Sequence, residues 1–220
     1  MLLFCKLVIP RNEGSVFDYI IPTDPSLAFR MTSNMKEQLV EDIKTTLSKT
    51  KVELLAQIAA KQANAIKDII DLTFHIEEKI AFRAAWILES IYIANPDNFA
   101  PFAAYFLNNF AQQNNLSARR HYGKILALMT KRNAPSAIKT VLDSNDTDAL
   151  VETTFAWLID DMVPVAIKSH CLNILANFCP KHPWIKDELI QTMDYLVDKE
   201  SIAFFAKVKQ IRKQLKKVKC

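Results

Sequence analysis

Apolar residues recur every three or four positions along most of the chain, which is the spacing of amphipathic helices. The first such stripe follows Asn34 and Glu37, whose spacing is typical of a helix start. Polar or proline-containing breaks separate the later stripes, and they fall at 95–96, 112–115, 133–135, 143–148, 160–164 and 179–183. The pattern predicts about ten helices of roughly 10 to 20 residues, with no strand beyond residue 31.

The segment before the first stripe has a different character. Residues 1–32 contain three prolines and Gly14, and they lack helical periodicity. We therefore expect residues 1–32 to be disordered, or to lie ahead of a misassigned translation start. Residues 33–220 are predicted to form the folded domain.

Three of the predicted helices align on a basic residue. The anchors are Arg83, Arg119 and Lys168, which are 36 and 49 residues apart. Three positions after the anchors stand Trp86, Tyr122 and Cys171. The spacings bracket the roughly 40 to 47 residues of HEAT and armadillo units, in which paired helices pack against neighbouring pairs. The sequence therefore predicts an all-α fold, a right-handed α-α superhelix of about four to five helix pairs.

Two stretches carry a resemblance to a known family. FRAAWILESIYIANPDNFAPF at 82–102 and HPWIKDELIQTMDYL at 182–196 are similar to a family of short bacterial HEAT-like proteins of unknown function. The resemblance covers about 35–217 and implies an ARM-type α-solenoid. Members of the family are sometimes labelled adenylosuccinate lyase. The true lyases are longer and carry a glycine- and serine-rich signature loop with a Lys-x-Asn-Pro element, which this chain lacks.

Composition narrows the possible chemistry. Only two glycines, Gly14 and Gly123, occur in 220 residues, so no glycine-rich phosphate loop, dinucleotide fingerprint or nucleophile elbow can be drawn. The four histidines are scattered, and no His-x-x-x-His, Glu-x-x-His or Cys-x-x-Cys spacing occurs. We therefore expect no catalytic residue, no metal site and no cofactor, and a protein that is not an enzyme.

Cysteine usage and hydropathy bear on location. The four cysteines show neither metal-ligand spacing nor a disulfide framework, which fits a reducing cytoplasm. No uncharged apolar run approaches the roughly 20 residues of a membrane-spanning helix. We expect a cytoplasmic protein without a membrane span, in which Trp86, Trp157 and Trp184 pack in the core.

Arg83 and Glu89 are charged residues in a helix that is otherwise apolar nearly all round. Glu89 falls within about 40° of apolar neighbours at 100° per residue, so it is expected to be partly buried. A buried acid needs a partner, and Arg119 or Arg120 on a neighbouring helix are the predicted candidates. Arg83, Glu89 and Arg119 are therefore candidates for structural ion pairs, with catalysis the weaker alternative.

Arg120, Lys124 and Lys131 form a basic line on one helix. They lie within about 40° of arc, opposite the apolar stripe of the same helix. The line is either a solvated face or a surface for an anion or a partner. HEAT-like DNA glycosylases of the alkylation-repair type bind duplex DNA through such a basic surface, which keeps nucleic acid as an alternative by analogy.

The end of the chain is strongly basic. Residues 199–220 hold eight Lys or Arg and one Glu, a net +7, so the chain total of +4 leaves −3 for 1–198. The predicted helix 201–220 carries a narrow apolar stripe, formed by Phe204, Val208, Ile211, Leu215 and Val218. It can be the end cap of the solenoid, a basic arm for nucleic acid or an acidic protein, or an amphipathic helix on an anionic membrane.

These observations together predict a non-enzymatic helical-repeat scaffold. Its partner is expected to be an unidentified protein, and the alternative is a nucleic-acid-binding protein related to the DNA-alkylation-repair glycosylases.

Overall fold

The computed structural model describes residue 37 and residues 39–45, 47–62 and 64–217. The predictions for residues 1–32 and for a helix start at Asn34 lie outside this part of the chain. The α-helices bounded within it are α1 (Lys49–Ala59), α2 (Ala65–Leu72), α3 (Glu78–Ala94), α4 (Pro96–Asn108), α5 (Leu116–Met129), α6 (Ser136–Ser144), α7 (Asp148–Ile159), α8 (Val165–Phe178), α9 (Ile185–Val197) and α10 (Ile202–Leu215). Residues 39–44 are also helical, a 3₁₀ helix spans Phe110–Gln112, and no strand occurs among the described residues.

The helices form two rows. In the first row α1, α3, α5, α8 and α10 follow one another, and each contacts the next. In the second row α2 contacts α4 and α4 contacts α6, while α7 and α9 pack on α8. Each first-row helix follows a second-row helix in the sequence, and the segment 39–44 precedes α1, which gives five helix pairs. The predicted all-α solenoid is confirmed.

Helix α6 explains the uneven spacing of the repeats. The anchors Arg83 and Arg119 are 36 residues apart, whereas Arg119 and Lys168 are 49 apart. The additional 13 residues correspond to α6 and its turn, because α6 lies outside the five pairs and contacts α4 and α5.

Local sequence signals determine where the helices begin and end. The Ser48 hydroxyl accepts a hydrogen bond from the Lys51 amide at 3.2 Å, and the Asn115 side chain accepts one from the Ala118 amide at 2.9 Å. Both residues therefore act as N-caps. Pro96 is the first residue of α4, where its missing N–H has no helical partner to lose. Helix α5 ends at Met129, ahead of the predicted break at 133–135, so Lys131 of the predicted basic line lies beyond the helix.

An aromatic cluster joins the rows at the centre of the chain. The Tyr122 ring lies 4.7 Å from the Phe106 ring, and the Phe110 ring lies 4.7 Å from that of Trp157. The Thr73 hydroxyl donates to the Ile70 carbonyl at 2.6 Å, so the Tyr122 hydroxyl donates to Thr73 at 2.7 Å. Burial of Tyr122 raises the pKa of its phenol, which stays neutral.

Helix α10 covers α8 and α9 at the last pair. Its apolar residues Phe204, Val208, Ile211 and Leu215 are buried, while Val218 lies outside the described residues. Lys209, Lys213 and Lys216 are exposed. This placement supports the end-cap interpretation of the basic helix.

None of the helices in the described part of the chain combines the length and apolar character needed to cross a membrane.

Candidate partner-binding surface

The solvent-facing side of the α3, α5, α8 and α10 row carries most of the candidate residues. Arg120 on α5 and Lys131, two residues after the end of α5, are exposed. Lys124 lies between them and is partly exposed, with its ammonium 2.5 Å from the Glu89 carboxylate. The opposite side of α5 is buried, including Tyr122 and Met129. The basic line of Arg120, Lys124 and Lys131 therefore faces away from the second row of helices.

Glu89 on α3 is the buried acid at the edge of this line. Its side chain contacts two residues of α5, with His121 Nδ1 at 2.7 Å and Lys124 Nζ at 2.5 Å. Burial opposes ionisation, but the hydrogen bonds from His121 and Lys124 outweigh it and lower the pKa of Glu89. Glu89 is thus an ionised carboxylate shared between two bases.

The partners of Glu89 differ from the residues predicted. It meets a neighbouring helix, but through His121 and Lys124 rather than Arg119 or Arg120. His121 and Lys124 are three residues apart, so they share the side of α5 that faces α3. Arg119 lies on another side of the helix, where it faces Trp157 of α7.

Arg83 and Arg119 bind backbone carbonyls instead of acids. Arg83 Nη1 donates to the carbonyls of Ile43 and Lys44, each at 2.7 Å. Arg119 Nε donates to the Gln113 carbonyl at 2.6 Å, and its guanidinium lies 4.9 Å from the Trp157 ring centre. Burial lowers the pKa of Arg119. Neither arginine forms an ion pair with an acid in the described residues.

The physical reason is that helix ends expose carbonyls without intrahelical partners. Both arginines stand near the start of their helix, beside the end of a preceding helical segment. The third anchor, Lys168, is fully buried and pairs with Glu200 in the turn before α10. The three aligned anchors are therefore all structural, and only Lys168 forms an ion pair.

His170 of α8 packs against Gly123 of α5, and Lys207 stands on α10, which packs against α8. Burial lowers the pKa of His170 to about 4; Glu89 opposes this shift, while Lys124, Arg120 and Lys207 add to it. Burial also lowers the pKa of Lys207, and the charge of Lys131 adds to the effect. Helix α8 therefore lies between the basic residues of α5 and Lys207 of α10.

Apolar residues of α3 lie beside the basic line. The rings of Phe82 and Trp86 stack with centres 6.1 Å apart, and Phe82 is 5.4 Å from the His121 ring. Ile93, two turns after Trp86, is 54% exposed. A cavity of about 360 Å³ brings Ile93 together with Lys124 and Lys131. The surface therefore combines exposed apolar area with positive charge.

The same region offers little for covalent or metal chemistry. Burial raises the pKa of the Cys171 thiol to about 12, which keeps it protonated. His121 contacts Glu89 through Nδ1, and its Nε2 is buried. Within the described residues, no group of three His, Cys, Asp or Glu is placed to hold a metal ion.

Sequence reasoning missed two members of this surface. His121 shares a helix face with Lys124, and their spacing was a usable signal for a shared acid on α3. Lys207 gave no such signal, because its position depends on the packing of α10 against α8.

The three tryptophans differ in how deeply they are buried. Trp157 is buried at 4% exposure, as predicted. Trp86 is partly buried and packs against the core, whereas Trp184 is 53% exposed. The prediction of a core position for Trp184 is therefore wrong. Trp184 stands just before α9 and stacks on Phe155, with ring centres 6.1 Å apart. An apolar neighbourhood in sequence does not distinguish such a partly covered ring from a buried one.

Comparisons with known proteins agree with this architecture. The family model of the HEAT repeat domain matches residues 35–217. An engineered protein, whose crystal structure comes from the Northeast Structural Genomics Consortium, is similar with a TM-score of 0.53 and 18% identity over 88% of this chain and 86% of that chain. That likeness concerns the fold alone. No curated protein matches this sequence. The match to the HEAT model spans most of the chain, and the protein therefore belongs to the HEAT repeat family.

Proposed function

We propose that this protein is a non-enzymatic scaffold in the cytoplasm that binds a partner protein through its first row of helices. The binding site is the α3–α5 surface, which we define as Phe82, Trp86, Ile93, Arg120, Lys124 and Lys131. One observation carries the proposal, namely that apolar and basic residues lie side by side on exposed helix faces around a cavity.

The composition of the α3–α5 surface favours a protein as the partner. Aromatic residues and arginine are enriched in protein interfaces, and they often contribute most of the binding energy. Trp86 and Arg120 supply both types on adjacent helices. The partner is expected to present apolar side chains to Ile93 and Trp86, and carboxylates to Arg120 and Lys131.

Lys124 contributes less free charge than its two neighbours. It shares the Glu89 carboxylate with His121, so its charge is largely offset within the protein. Arg120 and Lys131 have no acid within ion-pair distance in the described residues. We therefore assign the attraction for an acidic partner to these two.

Nucleic acid is the second candidate, and one observation favours it. Lys207 on α10 adds positive charge two helices along the row from the basic line, with α8 between them. A phosphate backbone would be held by such a track, and its affinity would fall steeply with salt. The net charge of −3 for residues 1–198 counts against a general attraction for polyanions.

Affinity capture from a native lysate tests the proposal and separates the two candidates. The native protein, Arg120→Glu and Lys61→Glu are used as baits. Lys61 is exposed in the turn between α1 and α2, so its variant controls for the change of charge. A protein that is retained after nuclease treatment by the native and Lys61→Glu baits, and lost with Arg120→Glu, is the predicted result. Nuclease-sensitive retention would favour nucleic acid.

A further inference from the structure

A second cavity lies where the helices of the first row end. It has a volume of about 670 Å³ and is bounded by the last turns of α5, α8 and α10 and by α6. Apolar side chains line part of it, including Leu142 and Phe178. Its cationic lining residues are Lys131, Arg132, Lys139, Lys181 and Lys217, and its acidic lining residue is Asp143. We call this cavity the end groove.

A chain of hydrogen bonds fixes the shape of the end groove. Gln214 of α10 donates to the Asn177 side chain at 3.1 Å. Asn177 of α8 in turn donates to the Thr130 hydroxyl at 3.1 Å and to the Ala127 carbonyl at 3.2 Å, both at the end of α5. Three helices are thus tied together beneath the cationic side chains. Contacts within the chain therefore hold the groove in shape, which lowers the entropic cost of binding.

The lining of the end groove carries more positive charge than the acids and helix ends around it neutralise. Asp143 lies 3.5 Å from Lys181, and none of the other four cations has an acid within ion-pair distance in the described residues. The ends of α5, α6, α8 and α10 each bring about half a negative charge, which offsets about two of those four. About two positive charges remain unbalanced. The unbalanced charge of the end groove therefore matches that of a dianion.

The negative ends of the helices account for four of the five cationic residues in the end groove, but not for Lys139. Lys131, Arg132, Lys181 and Lys217 all follow the end of a helix, where a cation is favourable. Lys139 is the fourth residue of α6, near the positive end of that helix, where a cation is unfavourable. The negative ends of the helices therefore do not explain why Lys139 lines the groove.

From this charge and volume we propose that the end groove binds a small organic molecule that carries a phosphate monoester. A phosphate monoester has about −1.5 to −2 charge at neutral pH, which matches the unbalanced charge of the groove. The volume falls within the roughly 300 to 1,000 Å³ of small-molecule sites. The phosphate contacts Lys139 and Arg132, and the apolar part of the ligand packs on Phe178 and Leu142. This site lies beyond the proposed partner-binding function and shares only Lys131 with the α3–α5 surface.

Four related compounds separate the contributions of charge and apolar contact. AMP carries a monoester and an aromatic base, adenosine lacks the phosphate, cyclic AMP has a singly charged diester, and glucose 6-phosphate lacks an apolar part. Binding is measured by NMR titration of the full chain. We expect AMP to bind about tenfold more tightly than adenosine or cyclic AMP. The affinity for glucose 6-phosphate is expected to lie between that for AMP and that for adenosine or cyclic AMP.

Two variants locate the site. Lys139→Glu should weaken AMP binding by about tenfold or more, whereas Lys61→Glu should leave it unchanged. Both lysines are exposed and form no side-chain hydrogen bond or ion pair among the described residues, so neither change should disturb folding. Chemical shift changes at Asn177 and Gln214 are expected on addition of AMP.

Several results would overturn the proposal. They are equal binding of adenosine and AMP, AMP binding that is indifferent to Lys139→Glu, and no binding of any of the four compounds at about 10 mM, ten times the concentration that a millimolar site requires. Displacement of AMP by a short oligonucleotide without a terminal phosphate would also overturn it, because the groove would then recognise a nucleic-acid backbone. Loss of partner capture leaves these measurements unaffected, so the two proposals can fail separately.

Discussion

Gly123 of α5 and His170 of α8 meet where two central helices of the row pack against each other. A methyl group on Gly123 would lie 3.1 Å from the His170 Cβ, which is closer than carbon atoms normally pack. The His170 Cβ is fixed by its own backbone and cannot rotate away. Gly123 does not have a positive φ, so its backbone conformation does not require glycine. The missing side chain instead allows the two helices to approach closely.

This contact predicts the effect of Gly123→Ala on stability. In a helix interior such a change normally stabilises by about 1 kcal/mol, but here overpacking costs about 1 to 3 kcal/mol. We expect net destabilisation of about 1 kcal/mol in urea unfolding. In a His170→Gly background the same change should be stabilising, because the opposing Cβ is gone. Stabilisation in the native background would show that α5 and α8 can separate at no cost.

His170 also predicts a pH dependence of stability. Burial lowers the pKa of His170 to about 4 from 6.5, so the unfolded state binds the proton more tightly. Stability is full above pH 6.5, falls as the pH drops from 6.5 to 4, and loses at most about 3 kcal/mol from this residue. Glu89, whose pKa is lowered, acts in the same direction at the acidic end of this range.

The measurement is urea unfolding between pH 7 and pH 4 for the native protein and His170→Gln. The charged groups that act on His170 are Glu89, Lys124, Arg120 and Lys207, and all are kept in the variant. The native protein should lose stability more steeply across this range than the variant. Parallel curves would contradict the assignment to His170.

The pair of Lys168 and Glu200 predicts an asymmetric mutational response. Lys168 is fully buried and pairs with Glu200, which is 18% exposed. Glu200→Gln leaves a buried ammonium without a counter-charge and should cost about 3 to 5 kcal/mol. Lys168→Met leaves a carboxylate that still reaches water, and should cost less. The double variant should be more stable than Glu200→Gln alone, and additive losses in thermal unfolding would disprove the coupling.

Trp86 and Trp157 predict opposite consequences of the same truncation. Trp157 is buried, so Trp157→Ala should cost about 3 to 5 kcal/mol of unfolding free energy. Trp86 is only partly buried, so Trp86→Ala should cost less than half as much while reducing capture of the partner. Equal stability losses, with capture unaffected by Trp86→Ala, would place Trp86 in the core rather than in the α3–α5 surface.

The fold could be predicted from the sequence because the residues that specify a helix lie close together along the chain. The apolar spacing of Phe204, Val208 and Ile211 indicated the buried side of α10, and Asn95-Pro96 marked the break between α3 and α4. The aligned anchors indicated the repeat. Each of these signals lies within a few residues of the feature that it predicts.

The candidate site was predicted less well, because its contacts join distant parts of the chain. Arg120 and Lys124 of the basic line could be placed together on α5, but the partners of Glu89 depended on which side of α5 faces α3. The carbonyls that bind Arg83 are 39 and 40 residues away from it. Lys207 reaches the surface through the packing of α10. Contacts between residues so far apart in the sequence leave no pattern within a single helix.

The most direct test of the α3–α5 surface is photocrosslinking in living cells. A photoreactive amino acid replaces Ile93, which is 54% exposed at the 360 Å³ cavity, and in a control it replaces Ile76, which is 93% exposed. Ile76 precedes α3, and Ile93 lies about 22 Å along the helix from its first residue, Glu78. We expect a discrete protein adduct from position 93 and none from position 76. A protein adduct from position 76 alone, or a nucleic-acid adduct from position 93, would contradict it.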